Sequence, residues 1–521
     1  MIKFYLKVIL KSPLIIISLL FSIFILLVQS SILNYSITSY TRVTFYAYIS
    51  FNLFFLLSCT YSMNKNYEIG EFLETNIFKK FISILLASLV ISSLIFLIPL
   101  SIVIFYACTR LNSSNLVGEI FNFFLLWNSS NLLSSIIGCC IGLLVNKWYS
   151  YIFSFILYSG YISVIYGPPK SIFSRLICIF SDNIYIEENC LAPLLFNIPY
   201  ILDKIFILLI LMAIINIVYL IIKKKRSSAI SVISLIVIIS LLIYVIPSSN
   251  KFAKIGTEFY DNFSTSDYII ESYKMDLDVT YILNNSCEVK LKALKSTNNL
   301  ILMLDNTFNI DSISINDIDS EFEHTNNKII INYNLEEDQV IKIKFNYSGF
   351  VDISNYLGVN TYYVSNKYIN LPNKNFYWYP YINNESSHNF NINLKTHNNI
   401  YTNLNIDNAI DDNGIYKYEL SGNDIGFSLF AGEYTTINFN DITYIIPQKY
   451  KIDSFTQYID NLPTRLLQND SSSECKRRSN ILKNKQYKKV IVCDWFSFSK
   501  EQYLENEIQF FNDTIIINLG V

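Results

Sequence analysis

The 521-residue chain is 52% hydrophobic and only 16% charged, with a net charge of −2 and a mean hydropathy of +0.32. That balance excludes a basic nucleic-acid-binding domain, and no nucleic-acid partner is expected. Averaged over its length, the chain reads as a membrane segment diluted by a soluble domain. Ile, Asn, Lys, Tyr and Phe are abundant while Gly (14) and Pro (11) are sparse. AT-rich codons encode that set, so asparagine richness alone carries no functional signal.

In chain order, hydrophobic stretches fall at about 12–30, 45–63, 81–107, 119–145, 149–166, 205–222 and 229–247. Each approaches or exceeds the ~20 residues a helix needs to cross a hydrocarbon layer of ~30 Å. The first is too long, and too poor in small residues at its end, for a cleaved signal peptide. Lys3, Lys7 and Lys11 precede it. Lys65, Lys79, Lys80, Lys147 and the Lys223–Arg226 cluster flank later stretches on the same side. Positive residues favour the cytoplasm, so the N-terminus is expected inside and residues 248–521 outside a plasma membrane. The expected fold is an α-helical multispan membrane domain of about seven spans (1–247) and a linker (248–264). An extracellular all-β sandwich (265–447) and a short α/β segment (448–521) follow.

Two segments on the expected inner face carry more than topology. Met1–Ser12 places Lys3, Lys7 and Lys11 on one helical stripe beside Phe4, Leu6 and Ile9, as in a helix lying on a bilayer surface. Topogenic charge explains the same lysines. Asn64–Lys80 holds Glu68, Gly70, Glu71 and Glu74, with Leu73, Ile77 and Phe81 at helical spacing. With the surface helix and the spans, this segment resembles ABC-2-type exporter permeases, which carry an E-x-G-T-x-E-like coupling helix after span two. Glu68 and Gly70 match its start, Glu71 stands where Thr is usual, and Glu74 comes one position late. The resemblance implies that Glu68, Gly70, Glu71 and Glu74 meet an ABC ATPase subunit. It further implies a second permease copy or homologue, with ATP used through the partner and no cofactor in this chain. The apolar loop Gly167–Lys204 fits the external re-entrant helices of that plan. No G-x-x-x-x-G-K-[ST] loop occurs, and no Asp, Lys or Arg lies mid-span as an ion relay would require. Asn52, Asn122, Asn131 and Asn216 are expected to join helices.

Beyond the break, apolar and polar residues alternate. Tyr273, Met275, Leu277, Val279 and Tyr281 face one way, Asn284-Asn285 reads as a turn, and Cys287, Val289, Leu291 and Ala293 return. Further strands are predicted at Leu300–Leu304, Ser312–Ile315, Lys328–Tyr333, Val340–Tyr347, Asn389–Lys395, Ile415–Leu420, Gly426–Ala431 and Ile442–Ile446, together a sandwich. The α/β segment is read as a helix near Ser454–Leu467 and strands Lys489–Cys493 and Thr514–Leu519.

The order of landmarks adds a second resemblance. L-x-L-x(3)-F-x-I at Leu302–Ile310 precedes I-x-I-x-F-x-Y-x-G at Ile341–Gly349. Trp378-Tyr379-Pro380 and then Phe430-Ala431-Gly432-Glu433-Tyr434 follow. Over about 265–447 this resembles the N-terminal, non-catalytic domain of aminopeptidase-N-type zinc peptidases. The sequence contains no H-E-x-x-H helix, which that chemistry needs to hold zinc beside a catalytic Glu. His324, His388 and His397 are read as surface residues, and neither enzyme activity nor a metal is expected of this chain. Phe376, Tyr377, Trp378 and Tyr379 form an aromatic cluster, read either as an external recognition site for a peptide or as a plug of the sandwich core. Of nine cysteines, Cys178 and Cys190 share one loop and are close enough in sequence to pair; none has metal-ligand spacing.

These readings converge on the permease subunit of an ABC-type exporter in the lipid bilayer, its external domain recognising or gating a peptide or lipid cargo. A non-transporting membrane sensor or immunity protein that binds an external peptide is the alternative, and part of a split membrane aminopeptidase a further one.

Overall fold

The computed structural model describes residues 1–32, 45–64, 77–110, 116–145, 148–165, 198–222, 228–252, 254–255, 265–354, 360–373, 376–382, 386–448, 452–469, 473–493 and 508–518. They divide into two compact units, one helical and ending at Lys251, the other β-rich and beginning at Phe252.

The helical unit contains α1 (Ile2–Leu10), α2 (Leu14–Ile32), α3 (Phe45–Asn64), α4 (Ile77–Arg110), α5 (Leu116–Leu144), α6 (Tyr149–Ile165), α7 (Ile198–Ile222) and α8 (Ser228–Phe252). In α1, Tyr5 and Ile9 are buried one turn apart while Lys3 and Lys7 stay exposed, the stripe that i, i+4 spacing dictates. A 63° bend separates α1 from the helix over Pro13–Phe24, where Pro13 removes a backbone donor and restricts Ser12. Among the described residues, three helical segments are individually long and apolar enough to cross a membrane: Ile77–Ile102, Ile120–Leu144 and Lys204–Ile221. The bent pair makes a fourth if it counts as one span. Among the described residues the expected seven spans thus become three or four candidates. Two helices show why: α6 has only 17 residues, and α3 is interrupted by buried Asn52, Ser58, Thr60 and Ser62.

Small residues let α3 and α5 approach closely. A Cβ on Gly138 would overlap the Leu56 carbonyl, and one on Gly142 would lie 2.8 Å from Thr60 O. Hydroxyls and amides hold the contact, since lipid tails supply no hydrophobic drive between helices. Thr60 Oγ1 lies 2.7 Å from Leu56 O and 3.0 Å from Gly138 O. Between α5 and α4, Trp127 Nε1 donates to Ser92 O at 3.1 Å, and Asn131 Nδ2 to Ser92 Oγ at 3.0 Å. Lys80, expected in a charged loop, is instead buried and donates from Nζ to Met63 O at 2.8 Å. A cation at the end of α3 suits the negative pole of its helix dipole.

The β-rich unit is built on an eight-stranded sheet. Its order is β15 (Asn405–Asp412), β16 (Ile415–Asp424), β13 (His388–Thr396), β2 (Tyr268–Asp278), β3 (Leu283–Ala293), β9 (Val340–Gly349), β5 (Asn309–Ile315) and β6 (Ile318–Asp319). All pairs are antiparallel except β13 with β2. Alternation puts one row of buried side chains across six strands: Leu420, Ile392, Met275, Cys287, Phe345 and Ile313. Each lies opposite the next, so their burial fixes register; slipping any strand by one residue would turn its apolar face to water. The three-stranded sheet of β4 (Thr297–Met303), β8 (Lys328–Leu335) and β7 (Glu323–Thr325) shares this core. So does the six-stranded sheet of β1 (Lys254–Ile255), β10 (Asp352–Ser354), β11 (Asn360–Val364), β12 (Ile369–Leu371), β17 (Leu429–Ala431) and β14 (Tyr401–Thr402).

The tight turns explain how so glycine-poor a chain folds into hairpins. Asn316-Asp317, Asn326-Asn327 and Asn440-Asp441 each place two consecutive residues at positive φ between paired strands, as does Asn413-Gly414. Type I′ turns require that geometry, and Asn and Asp tolerate it best after Gly. Asn284-Asn285, by contrast, is not a turn but lies within β3. The hairpin reverses earlier, where Asp278 Oδ1 accepts from Thr280 N at 3.1 Å and sets an Asx turn.

A separate five-stranded sheet ends the described chain: β18 (Tyr434–Phe439), β19 (Ile442–Pro447), β20 (Lys489–Cys493), β22 (Thr514–Asn518) and β21 (Ile508–Phe510), in that order. It includes β19, which the sequence pattern, read as Ile442–Ile446, assigns to the sandwich. In β20, Val490 and Val492 pack toward α9 (Ile452–Asn469) and α10 (Ser473–Lys483), whereas Ile491 and Cys493 join the sandwich core. Both faces are covered, which explains why its parallel strands read as unbroken apolar runs.

Candidate functional site

The four aromatic residues proposed for recognition are not on a surface. Phe376, Tyr377, Trp378 and Tyr379 are all buried, Trp378 completely. They lie on an irregular stretch, 376–382, whose backbone cannot rely on a strand ladder over its length. Buried peptide groups must nevertheless be paired. Tyr347 Oη donates to Trp378 O and Tyr273 Oη to Pro380 O, each at 3.0 Å. Asp305 N donates to Tyr377 O at 2.8 Å, and Met303 and Tyr381 exchange backbone hydrogen bonds at 2.8 and 2.9 Å. Burial pushes the phenols of Tyr273, Tyr347 and Tyr379 well above their ordinary range, so they remain donors. The cluster is a core plug: Trp378 packs edge-on to Tyr379 at 4.9 Å and against Phe427 at 5.1 Å. A peptide recognition role for these four residues is corrected accordingly.

Histidine placement also departs from expectation. His388, expected on the surface, is fully buried, with Nδ1 2.7 Å from Ile270 O. The carbonyl can only accept, so Nδ1 carries the proton; Nε2 is buried without a partner. Desolvation holds this imidazole below its ordinary value of 6.5. His324 and His397 are half-buried, bonded to Leu304 O at 3.0 Å and Gly414 O at 3.1 Å. Among the described residues, no group of three His, Cys, Asp or Glu side chains is placed to hold a metal.

A polar joint that sequence reading missed connects the sandwich to the five-stranded sheet. Asp424 ends β16 and is buried. Its Oδ2 accepts from Asn403 Nδ2 at 3.0 Å, while Oδ1 accepts from Ile425 N at 2.9 Å and Asn512 N at 3.3 Å. Asn403 Nδ2 also donates to Gly426 O at 2.8 Å, and Lys489 Nζ to Thr402 O at 3.0 Å. Burial raises the Asp424 carboxyl and lowers the Lys489 ammonium relative to their ordinary values. Gln509 Nε2 donates to Asn373 O, whose side chain in turn accepts from Tyr379 Oη at 2.8 Å. Nothing in the periodicity announces this joint, because its members are isolated polar residues from five segments. The arrangement positions backbone; it offers no nucleophile and base within reach of each other.

The remaining candidates fall elsewhere. Glu68, Gly70, Glu71 and Glu74, and the pair Cys178 and Cys190, lie outside the described residues. Cys59, Cys139 and Cys287 are buried free thiols, and Cys475 and Cys493 are also buried.

No family model matches the chain. A putative mitoferrin of Plasmodium falciparum (isolate 3D7) is 32% identical over 139 residues, 27% of this chain and 11% of that protein. Among solved structures, the M1 zinc metallopeptidase from Deinococcus radiodurans has 10% identity and a TM-score of 0.34, over 51% of this chain and 63% of that one. A mutant of it bound to a Tyr-Ser-Ala substrate gives a TM-score of 0.36 over the same shares. A two-domain M1 zinc metallopeptidase mutant bound to L-arginine is 9% identical, with a TM-score of 0.35. The chain spans about a tenth of the mitoferrin and under two thirds of the metallopeptidases. What the findings establish is a helical, membrane-like part followed by a β-rich part of several sheets.

Proposed function

We propose that this chain is the membrane-spanning permease subunit of an ABC-type exporter, and that its β-rich unit recognises cargo outside the plasma membrane. One observation carries the reading. Among the described residues, the buried polar side chains of the helical unit are hydroxyls and amides, from Ser18 to Ser154, with Lys80 alone charged and placed at a helix end. Ion-coupled transport draws on ionisable groups within the spans. A seam of neutral hydrogen bonds instead suits helices driven from outside the bilayer. In this reading ATP is hydrolysed by a partner subunit that meets Glu68, Gly70, Glu71 and Glu74. Two permease copies, identical or homologous, rock between inward- and outward-facing states, and the chain catalyses no reaction itself. The external unit receives a peptide or lipid.

Co-purification from native membranes tests this directly. An ATPase should associate, and Glu68→Lys with Glu74→Lys should abolish that association while leaving the yield of folded protein unchanged. If no ATPase associates and the double variant retains function, the permease reading fails and a non-transporting sensor replaces it. Peptide hydrolysis by the purified chain in the presence of zinc would move the reading to a split aminopeptidase instead.

A further inference from the structure

The two edges of the eight-stranded sheet differ. One ends in β6, only two residues long. The other ends in β15, eight residues long and exposed at every position. Among the described residues β15 pairs only with β16, so its outer side presents unpaired backbone donors and acceptors, the template used for strand addition. Ile406 and Ile410 stand in water at 45% and 52% exposure, more apolar surface than an edge without a partner needs.

The charge on this edge selects the occupant. Asp407, Asp411 and Asp412 lie on β15 and Glu419 is exposed on β16, with Lys417 the one basic residue of the hairpin. Lys417 is already committed to Asp412 at 2.7 Å. Between 265 and 447 acidic residues outnumber basic ones about two to one. Several of the lysines there are held in pairs, Lys290 with Glu271, Lys292 with Asp338 and Lys342 with Glu288. A second copy of β15 would bring like charges edge to edge, which is unfavourable. A cationic strand meets the opposite situation. The bulge between Ile406 and Asn408 turns Asp407 out of the ladder and leaves Asn408–Asp412 as the regular stretch.

We propose that β15 is a docking edge for an extended cationic peptide, which adds to the sheet as one more strand beside Asn408–Asp412. Main-chain hydrogen bonds supply the affinity, the carboxylates of Asp407 and Asp411 select positive side chains, and Ile406 and Ile410 gain an apolar cover. The proposal rests on the reading that the external unit recognises cargo, and it names the class of that cargo.

The test uses the full chain in detergent micelles and a ten-residue peptide of alternating Lys and Val. This peptide should bind and slow amide exchange at 405–412. Its affinity should fall as salt rises. Methylating alternate peptide nitrogens keeps the charge but removes donors, and should abolish binding. Asp407→Asn with Asp411→Asn should weaken binding roughly tenfold or more, about 1.4 kcal/mol per factor of ten, with exchange elsewhere unchanged. Equal binding of the methylated peptide, protection away from 405–412, or no effect of the Asn variants would each overturn the proposal. So would a concentration-dependent dimer that protects the same strand without peptide. Peptide binding is measured without any ATPase, so its failure is distinguishable from failure of the permease reading.

Discussion

The two units meet the same requirement, pairing buried polar groups, by opposite routes. In the helical unit polar side chains are the fastener: Thr60, Ser92, Asn131 and Trp127 tie helices together where apolar contact gives little preference for protein over lipid. In the β-rich unit apolar burial drives assembly, and polar side chains repair the places where the ladder fails, as Tyr273 and Tyr347 do beneath 376–382. Polarity organises the first unit and patches the second.

Substitutions that sharpen this contrast differ in size. The largest effect is expected at Gly138, where any side chain meets the Leu56 backbone. Gly138→Leu should cost about 4 kcal/mol or more, seen as loss of monodisperse protein in detergent, whereas Gly160→Ala, with nothing nearby, should be tolerated. Next comes Tyr347→Phe. It strands Trp378 O and the Asn285 amide, which donates to the Tyr347 hydroxyl at 2.8 Å. A loss of about 2–4 kcal/mol is expected, localised to the β-rich unit by hydrogen exchange. An unchanged exchange pattern there would break the comparison.

A smaller, pH-dependent effect belongs to His388. Its folded form binds a proton less readily than the unfolded chain does, so its contribution is complete above the ordinary value of 6.5 and is lost as pH falls below it. Melting of the β-rich unit should therefore drop between about pH 7 and about pH 5, and His388→Gln should flatten that part of the profile. The smallest effect is expected at Asn327, already at positive φ in a type I′ turn. Asn327→Gly should shift stability by less than about 0.5 kcal/mol, measured by the same melt.

Legibility in the sequence followed one-sided burial. Cys287, Val289, Leu291 and Ala293 alternate with polar neighbours and are all buried, and β20 was bounded correctly because its apolar run is preceded by Lys488 and Lys489 and followed by Asp494. Strand β15 was invisible, since a strand exposed on both faces has no alternation to detect. The charged helix α10 was missed because it buries little beyond Cys475, Ser479 and Leu482. His388 and the Asp424 joint were misjudged or unseen for a common reason. Single buried polar residues follow no period, and their partners, Ile270 and Asn512 among them, come from distant segments. The span count erred because overall apolarity was read as length, while the hydroxyls and amides inside α3 lower its apolarity.

The parallel pairing of β2 with β13 has a consequence for how the protein is made. Strand β2 finds its hairpin partner β3 at once, but its other edge waits for residues 388–396. If the β-rich unit emerges across a membrane from its N-terminal side, the sheet stays open at its centre while more than a hundred residues follow. Late closure by a non-local strand is slow and leaves intermediates prone to aggregation. The surface lysines and acids of β2 and β3 then act during biogenesis, keeping a half-built sheet soluble until its missing neighbour arrives.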